Sequence, residues 1–509
     1  MRKISSGAIL FAAFGALAHA QTQQELLRDG NSGSTDNVLT YGMGYHQQRY
    51  SPLKDINKRT VRRLVPIWNL SLNNDVGEQG QPLVYNGKLF VGSVDAHLRA
   101  LDANTGKEVW KVKIAEWKEG YSITSAPTVA NGVLMTGMTG GEYGVRGFVD
   151  GYDPDTGKHL WRRHTTAGPG EKGNETWPAG DAYLRGGGST WITGSYDPEL
   201  DLTYWGTSNG GPWTAAARPG DNLWISSVIA FKPKTGELVW HYQWTPAETY
   251  DFDGNNENVL ADIMVDGVKR KVLMHADRNG FLYTLDRTNG KLIAANPYVK
   301  VNWAERIDLT TARPVETDVA KRLRAGEKVE VKPRWTGGKN WMPMAFNPNT
   351  GRLYLAMLEE TSVYQLNKEL PVYKAGERYM GVENTTAPRT PGEPGGYFGA
   401  LDPLTARPKW KLPLMDLPSW SGMLATAGGL VFSGRSTGEF VAIDEDTGSI
   451  VWQFKTGSGI NAQPITYTHK GRQYVSVLSG LGGGTSAKRE TEGKVLPGGS
   501  VWTFALMPD

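Results

Sequence analysis

The stretch Leu101-Asp102-Ala103-Asn104-Thr105-Gly106-Lys107-Glu108-Val109-Trp110 recurs along the chain as Tyr152–Trp161, Phe231–Trp240 and Ile443–Trp452. Weaker copies start at Leu285 and Leu401. Each copy reads as a strand, a D-x-x-T-G turn and a second strand closed by tryptophan. The aspartate can accept backbone N–H bonds across the turn, and glycine takes a positive φ there. The closing indole offers a large flat face to the next unit. Antiparallel units at intervals of roughly 40–80 residues predict an all-β fold, a β-propeller of four-stranded antiparallel blades. The dense turns and β-rich pattern exclude a helical solenoid.

Six copies predict six blades. A seventh is expected from Pro66–Leu70 pairing with Ser500–Leu506, which joins the two ends of the chain and removes an exposed edge. The long interval between Leu285 and Leu401 leaves a degenerate eighth blade as the alternative.

The chain opens on Met1-Arg2-Lys3, continues through the apolar run Ala8–Phe14 and reaches Ala18-His19-Ala20. That pattern predicts a secretory signal peptide over residues 1–20, export to the periplasm, and one domain over 21–509. No later stretch is long and apolar enough to predict a membrane span. Loss of Arg2 and Lys3 leaves 53 basic residues against 52 acidic, a balance that argues against a nucleic-acid partner. The chain has no cysteine, which excludes disulfides, thiolate metal sites and a C-x-x-C-H haem attachment.

The D-x-x-T-G-x-x-x-W repeat resembles the tryptophan-docking motif of the pyrroloquinoline quinone (PQQ) alcohol dehydrogenases. The resemblance runs from Leu39-Thr40-Tyr41-Gly42 and Arg49-Tyr50-Ser51-Pro52-Leu53 to Trp420-Ser421-Gly422-Met423 and the C-terminal strand. It implies a set of site residues. Thr139-Gly140-Gly141-Glu142 matches a segment whose small residues approach the cofactor and whose glutamate binds metal. Ser189 and Trp191, in Gly186–Trp191, match the strand that lays an indole under the quinone. Asn209 matches an amide metal ligand. In Tyr250-Asp251-Phe252-Asp253-Gly254, Asp251 matches the base that takes the alcohol proton and also binds metal. Asp253 falls where lanthanide-dependent members carry aspartate and calcium-dependent members a small neutral residue. Arg278 matches the arginine at the quinone oxygens, and Thr124, Asn340 and Trp420 match further cofactor contacts.

Taken singly, each residue has a plainer reading. Glu142 would be a solvated loop carboxylate, Asn209 a turn residue, Asp251 an Asx-turn, Trp191 core packing and Arg278 a surface ion pair. Three carboxylates beside an anionic quinone balance a trivalent ion better than Ca²⁺, and oxygen donors suit both.

Four departures from the family pattern stand out. There is no adjacent-cysteine disulfide to cap the quinone, and about one repeat is missing between Gly87 and Leu101. A cofactor-binding glutamate is matched by Gln79, and a C-terminal tryptophan by Gly484. The reading is an exported alcohol dehydrogenase with PQQ and one metal ion, a lanthanide over calcium, passing electrons to a cytochrome c or another external acceptor. The alternatives are a calcium-dependent enzyme of the same family and a non-catalytic propeller scaffold.

Overall fold

The computed structural model describes residues 23–29, 35–72, 77–91, 98–101, 108–481 and 493–508. Residues 1–20, the first repeat turn (102–107) and Gly484 therefore lie outside the described residues. Among the described residues six sheets have four or more strands, antiparallel except where Tyr50–Ser51 runs parallel to Ala425–Thr426, and none of the helices is long and apolar enough to cross a membrane.

Each of the five repeat turns among the described residues lies between the last two strands of its sheet. Phe148–Tyr152 pairs with His159–His164, Ser227–Phe231 with Leu238–Gln243, and Glu439–Asp444 with Ile450–Lys455. Each pairing shifts register next to the turn. The turn chemistry is local, as expected. Asp153 Oδ1 accepts the N–H groups of Asp155 and Thr156 at 3.1 and 2.8 Å, and Asp402 does the same for Leu404 and Thr405. Gly157, Gly236 and Gly448 take φ of 71°, 67° and 75°, and Ala406 adopts 53° in the copy that lacks the glycine.

The tryptophans link one sheet to the next. The Trp110 indole N–H donates to Pro154 O, Trp161 to Pro233 O, Trp240 to Arg287 O and Trp410 to Glu445 O, at 2.9–3.2 Å. Each indole also covers the turn glycine of the following copy, where a Cβ would lie within 2.9 Å of a ring atom. The repeat is thus a docking device: the glycine is bare because the preceding sheet's indole rests on it.

Trp452 donates instead to Leu64 O, at the start of a sheet that joins the chain ends. In that sheet Leu64–Ser71 pairs with Ser500–Leu506, the pairing expected from the sequence, with a bulge between Pro66 and Trp68. Two hairpins, Leu83–Tyr85 with Lys88–Phe90 and Leu98–Leu101 with Glu108–Val112, precede the 128–164 sheet. Leu89 packs against the closing sheet. The interval between Leu285 and Leu401 holds the first strands of one four-stranded sheet, Ala345–Asn347 and Arg352–Leu358. Beside it lies a side layer of Ala304–Asp308, the helix Asp318–Arg324 and a three-stranded sheet.

The inner strands Ser195–Asp197, Ala345–Asn347 and Leu424–Thr426 are buried throughout and the last strands His159–His164 and Ile450–Lys455 are partly exposed, so these sheets run from the centre to the rim. At the centre the segment 45–49 links four first strands in succession. The N–H groups of Tyr196, Leu260, Phe346 and Ala425 donate to the carbonyls of Tyr45, His46, Gln48 and Arg49. The fully buried Arg49 side chain then reaches Met423 O and Pro464 O at 2.8 and 2.7 Å. This architecture is of the β-propeller type.

Candidate cofactor and metal site

The Tyr250–Gly254 segment lies in the interior, with Asp251 and Asp253 each 2% exposed. Asp251 has φ +66°, a conformation that costs a non-glycine residue energy unless its surroundings hold it. Glu248 does that holding. Its Oε1 accepts the N–H groups of Tyr250 and Phe252 at 2.5 and 2.9 Å, and its Oε2 lies 4.0 Å from the buried Arg218 guanidinium.

Arg278 reaches the same segment from 27 residues away. Its Nη1 donates to Asp251 O at 3.1 Å and Oδ2 at 3.3 Å, and its Nη2 lies 2.6 Å from Asp253 Oδ2. The Trp191 indole N–H donates to that same Asp253 oxygen at 3.1 Å, and Arg278 Cζ stands 5.6 Å from the Trp191 ring centre. The Asn209 N–H fills the other Asp253 oxygen at 2.8 Å. Asp251 Oδ1, by contrast, is buried without a protein partner.

Electrostatics follow from this crowding. Burial pushes Asp251 well above the usual carboxylate range; Arg278 pulls it back, while Asp253 and Glu142 push it further up. Glu142 is also raised, by burial first and then by Asp253. Burial opposes the charge on Arg278, yet Asp253, Asp251 and Glu142 together hold its pKa above normal. One cation faces three carboxylates, so the cluster carries an excess of negative charge.

The remaining expected residues fall around this centre, with differences. At Gly141 a Cβ would lie 3.0 Å from Asn209 Oδ1 and 3.3 Å from Ser189 Oγ, so its bareness keeps a polar cradle open beside Glu142. Ser189 Oγ and Ser208 Oγ are 2.7 Å apart in that cradle. At Gly140 the reason for glycine is different: φ is +127° and a Cβ would meet Gly120 O at 2.3 Å. Thr139 exchanges backbone bonds with Ser122. Asn340 is buried, its Oδ1 3.4 Å from Arg278 Nη2, and Trp420 is buried with an unpartnered indole N–H. Thr124 is exposed, its hydroxyl bonded to Trp191 O at 2.9 Å. Gln79 also faces outward, whereas its neighbour Glu78 is buried and close to Gly480. Arg278 is thus no surface ion pair: it is buried, and its partners are Asp251 and Asp253.

Sequence reasoning passed over Glu248, Arg218 and Tyr364, whose hydroxyl donates to Tyr250 O at 2.6 Å. Nothing in one dimension marks Glu248, because its partners are backbone groups two and four residues on. Among the described residues no group of three or more His, Cys, Asp or Glu side chains is placed to hold a metal ion. Arg278 occupies the space between the aspartates. The donor set nevertheless fits a hard cation and an anionic cofactor. Its groups are oxygens, Asp251 Oδ1 is buried and unpartnered, and the Gly141 cradle faces Asn209 Oδ1.

Comparison with known proteins agrees with this chemistry. The family model of the PQQ glucose/ethanol/alcohol dehydrogenase β-propeller domain matches residues 39–121, 113–307 and 396–475. The quinoprotein alcohol dehydrogenase PedH of Pseudomonas putida is 36% identical over 97% of this chain and 94% of its own. The lanthanide-dependent methanol dehydrogenase of Methylacidiphilum fumariolicum is 36% identical over 94% of this chain and 90% of its own. Among solved structures, a europium-containing methanol dehydrogenase superposes with a TM-score of 0.88 at 34% identity, covering 95% of this chain and all of that one. With its docking repeats, central site and whole-length relatives, this chain belongs to the PQQ-dependent alcohol dehydrogenase family.

Proposed function

We propose that this protein is an exported, periplasmic PQQ-dependent alcohol dehydrogenase that uses a lanthanide ion and passes electrons to a separate acceptor such as a cytochrome c. The observation that carries the reading is the buried Asp251–Arg278–Asp253 cluster, with one carboxylate oxygen unpartnered and an indole alongside. Glu142, Asn209 and Asp251 would hold the metal, with Asp253 adding a further anionic oxygen. Ser189, Trp191, Asn340 and Trp420 would hold PQQ, with Thr124 and Gln79 at the periphery. When bound, PQQ supplies two-electron redox chemistry and the metal acts as a Lewis acid.

The chain's own residues supply the rest. Asp251 Oδ1 is free to accept the hydroxyl proton of an alcohol, and burial makes that carboxylate more basic than an exposed one. Arg278, fixed by two carboxylates, would offer its positive charge to an anionic cofactor bound there. The fold has one domain over 21–509. The two hairpins between Leu83 and Val112 act as one blade, which with the six sheets makes seven.

A second reading has a specific observation behind it. Both Asp253 oxygens are engaged by Asn209 N–H, Trp191 Nε1 and Arg278, so Asp253 can serve as a positioning residue in a calcium enzyme. Reconstitution with PQQ and either La³⁺ or Ca²⁺, read by quinone absorbance and dye-linked alcohol oxidation, separates the readings. La³⁺ is expected to give the higher activity, and Asp253→Ala to remove mainly that part. Equal loss with both ions assigns Asp253 the positioning role. No quinone absorbance with either ion leaves the scaffold reading.

A further inference from the structure

The segments carrying Glu142, Asn209 and Asp251 belong to three different parts of the chain, yet one hairpin touches all of them. Ser362–Leu366 pairs with Val382–Thr386, from Ser362↔Thr386 to Leu366↔Val382, and the tip spans 367–381. At the base the buried Tyr364 hydroxyl donates to Tyr250 O, the residue before Asp251, at 2.6 Å. At the tip the Tyr379 N–H donates to the backbone oxygen of Glu142 itself at 2.7 Å. Next to it Met380 O accepts the Trp213 N–H at 2.6 Å, four residues beyond Asn209. The tip is also wedged in place. Arg185 Cζ lies 3.9 Å from the Tyr373 ring centre, Tyr373 and Tyr379 meet edge to face, and both crowd Gly144, where a Cβ would come within 3.0 Å of each.

We propose that this hairpin is a positioning element that fixes the mutual distances of the Glu142, Asn209 and Asp251 segments, so that order in any one depends on the other two. A cation bound by side chains of three segments tolerates only small errors in their spacing. Intersheet docking at the rim controls that spacing weakly, because the three segments are loops. The hairpin supplies a fixed third body in contact with each. It also covers the Glu142 loop, where Tyr373 and Tyr379 crowd Gly144. Its effect on the cofactor rests on the PQQ reading above; its effect on the three loops does not.

The test is hydrogen–deuterium exchange on the ligand-free full chain, followed by titration with La³⁺ and PQQ read by tryptophan fluorescence. Tyr364→Phe removes one bond at the base, and Gly144→Ala displaces the tip. Val372→Ser, at an exposed tip position, is the control. Loss of one hydrogen bond is expected to raise exchange about fivefold in 248–254. The decisive result is a rise of similar size in 139–145, which Tyr364 does not touch, and in 207–214. Gly144→Ala should produce the same spread from the opposite end, and both variants should weaken La³⁺ binding about fivefold. Exchange confined to the neighbours of each mutation, or La³⁺ affinity unchanged in both variants, overturns the proposal. If exchange spreads but the wild-type protein binds neither PQQ nor La³⁺, the positioning role stands and the PQQ reading falls.

Discussion

Two sets of aspartates in this molecule share a residue type and little else. Asp153, Asp402 and Asp444 sit in repeat turns, each accepting N–H groups two and three residues on. Asp153 and Asp444 are held below the usual carboxylate range: hydrogen bonds from Thr156 act on the first, and Lys58 with the turn N–H groups outweighs burial on the second. Asp251 has no such local shelter. It is buried at positive φ, raised in pKa, and dependent on Arg278 and Glu248. A carboxylate satisfied by its own turn builds structure. One left partly unsatisfied in the interior is available for chemistry.

That contrast can be broken by experiment. The largest effect is expected for Asp251→Asn, which should lower kcat of the reconstituted enzyme by about 10³-fold while quinone absorbance is retained. Removing one charge from a cluster rich in carboxylates should also raise the Tm of the ligand-free protein; a lower Tm would make Asp251 a structural residue like its rim counterparts. Arg278→Ala should do the opposite, destabilising the ligand-free protein by about 3–5 kcal/mol, because two buried carboxylates lose their counter-ion. Thermal or denaturant unfolding reads this directly.

At the rim, Trp410→Ala should cost about 3 kcal/mol by removing the indole from Gly448 and Glu445 O. La³⁺ affinity should stay at the wild-type value, and a change there would mean that docking reaches the site. The smallest effect is expected for Asp444→Asn, a Tm decrease of about 1–2 °C at pH 7. Because the folded pKa lies below the unfolded one, this contribution is complete above the unfolded value. It is lost as pH falls through the folded one, so the mutant and wild-type curves should converge in acid.

The same contrast explains what the sequence reveals. The turns are legible because the aspartate, threonine and glycine that shape them lie within ten residues of one another and the whole set recurs along the chain. The pairing of Leu64–Ser71 with Ser500–Leu506 is legible too, since an unclosed sheet would leave two edges. The site is not encoded locally. Asp251 and Asp253 resemble any Asx-turn pair until Arg278 arrives, and only the match of many spaced segments singles them out. Glu248, Tyr364 and the 367–381 tip are invisible in one dimension because their partners are backbone groups, which carry no side-chain signature, and for Tyr364 and the tip they belong to remote loops. The close approach of the Gly120 carbonyl to Gly140 is equally hidden.

The 45–49 segment has a consequence for how the chain acquires its structure. Its carbonyls wait for N–H groups at 196, 260, 346 and 425, and the Arg49 side chain waits for Pro464. An early part of the polypeptide therefore cannot settle until nearly all of it has been synthesised, and Leu64–Ser71 waits for Ser500–Leu506 in the same way. Such contacts of very high sequence separation make folding slow and late. A growing chain would remain open around its centre until the segments carrying residues 425 and 464 had emerged.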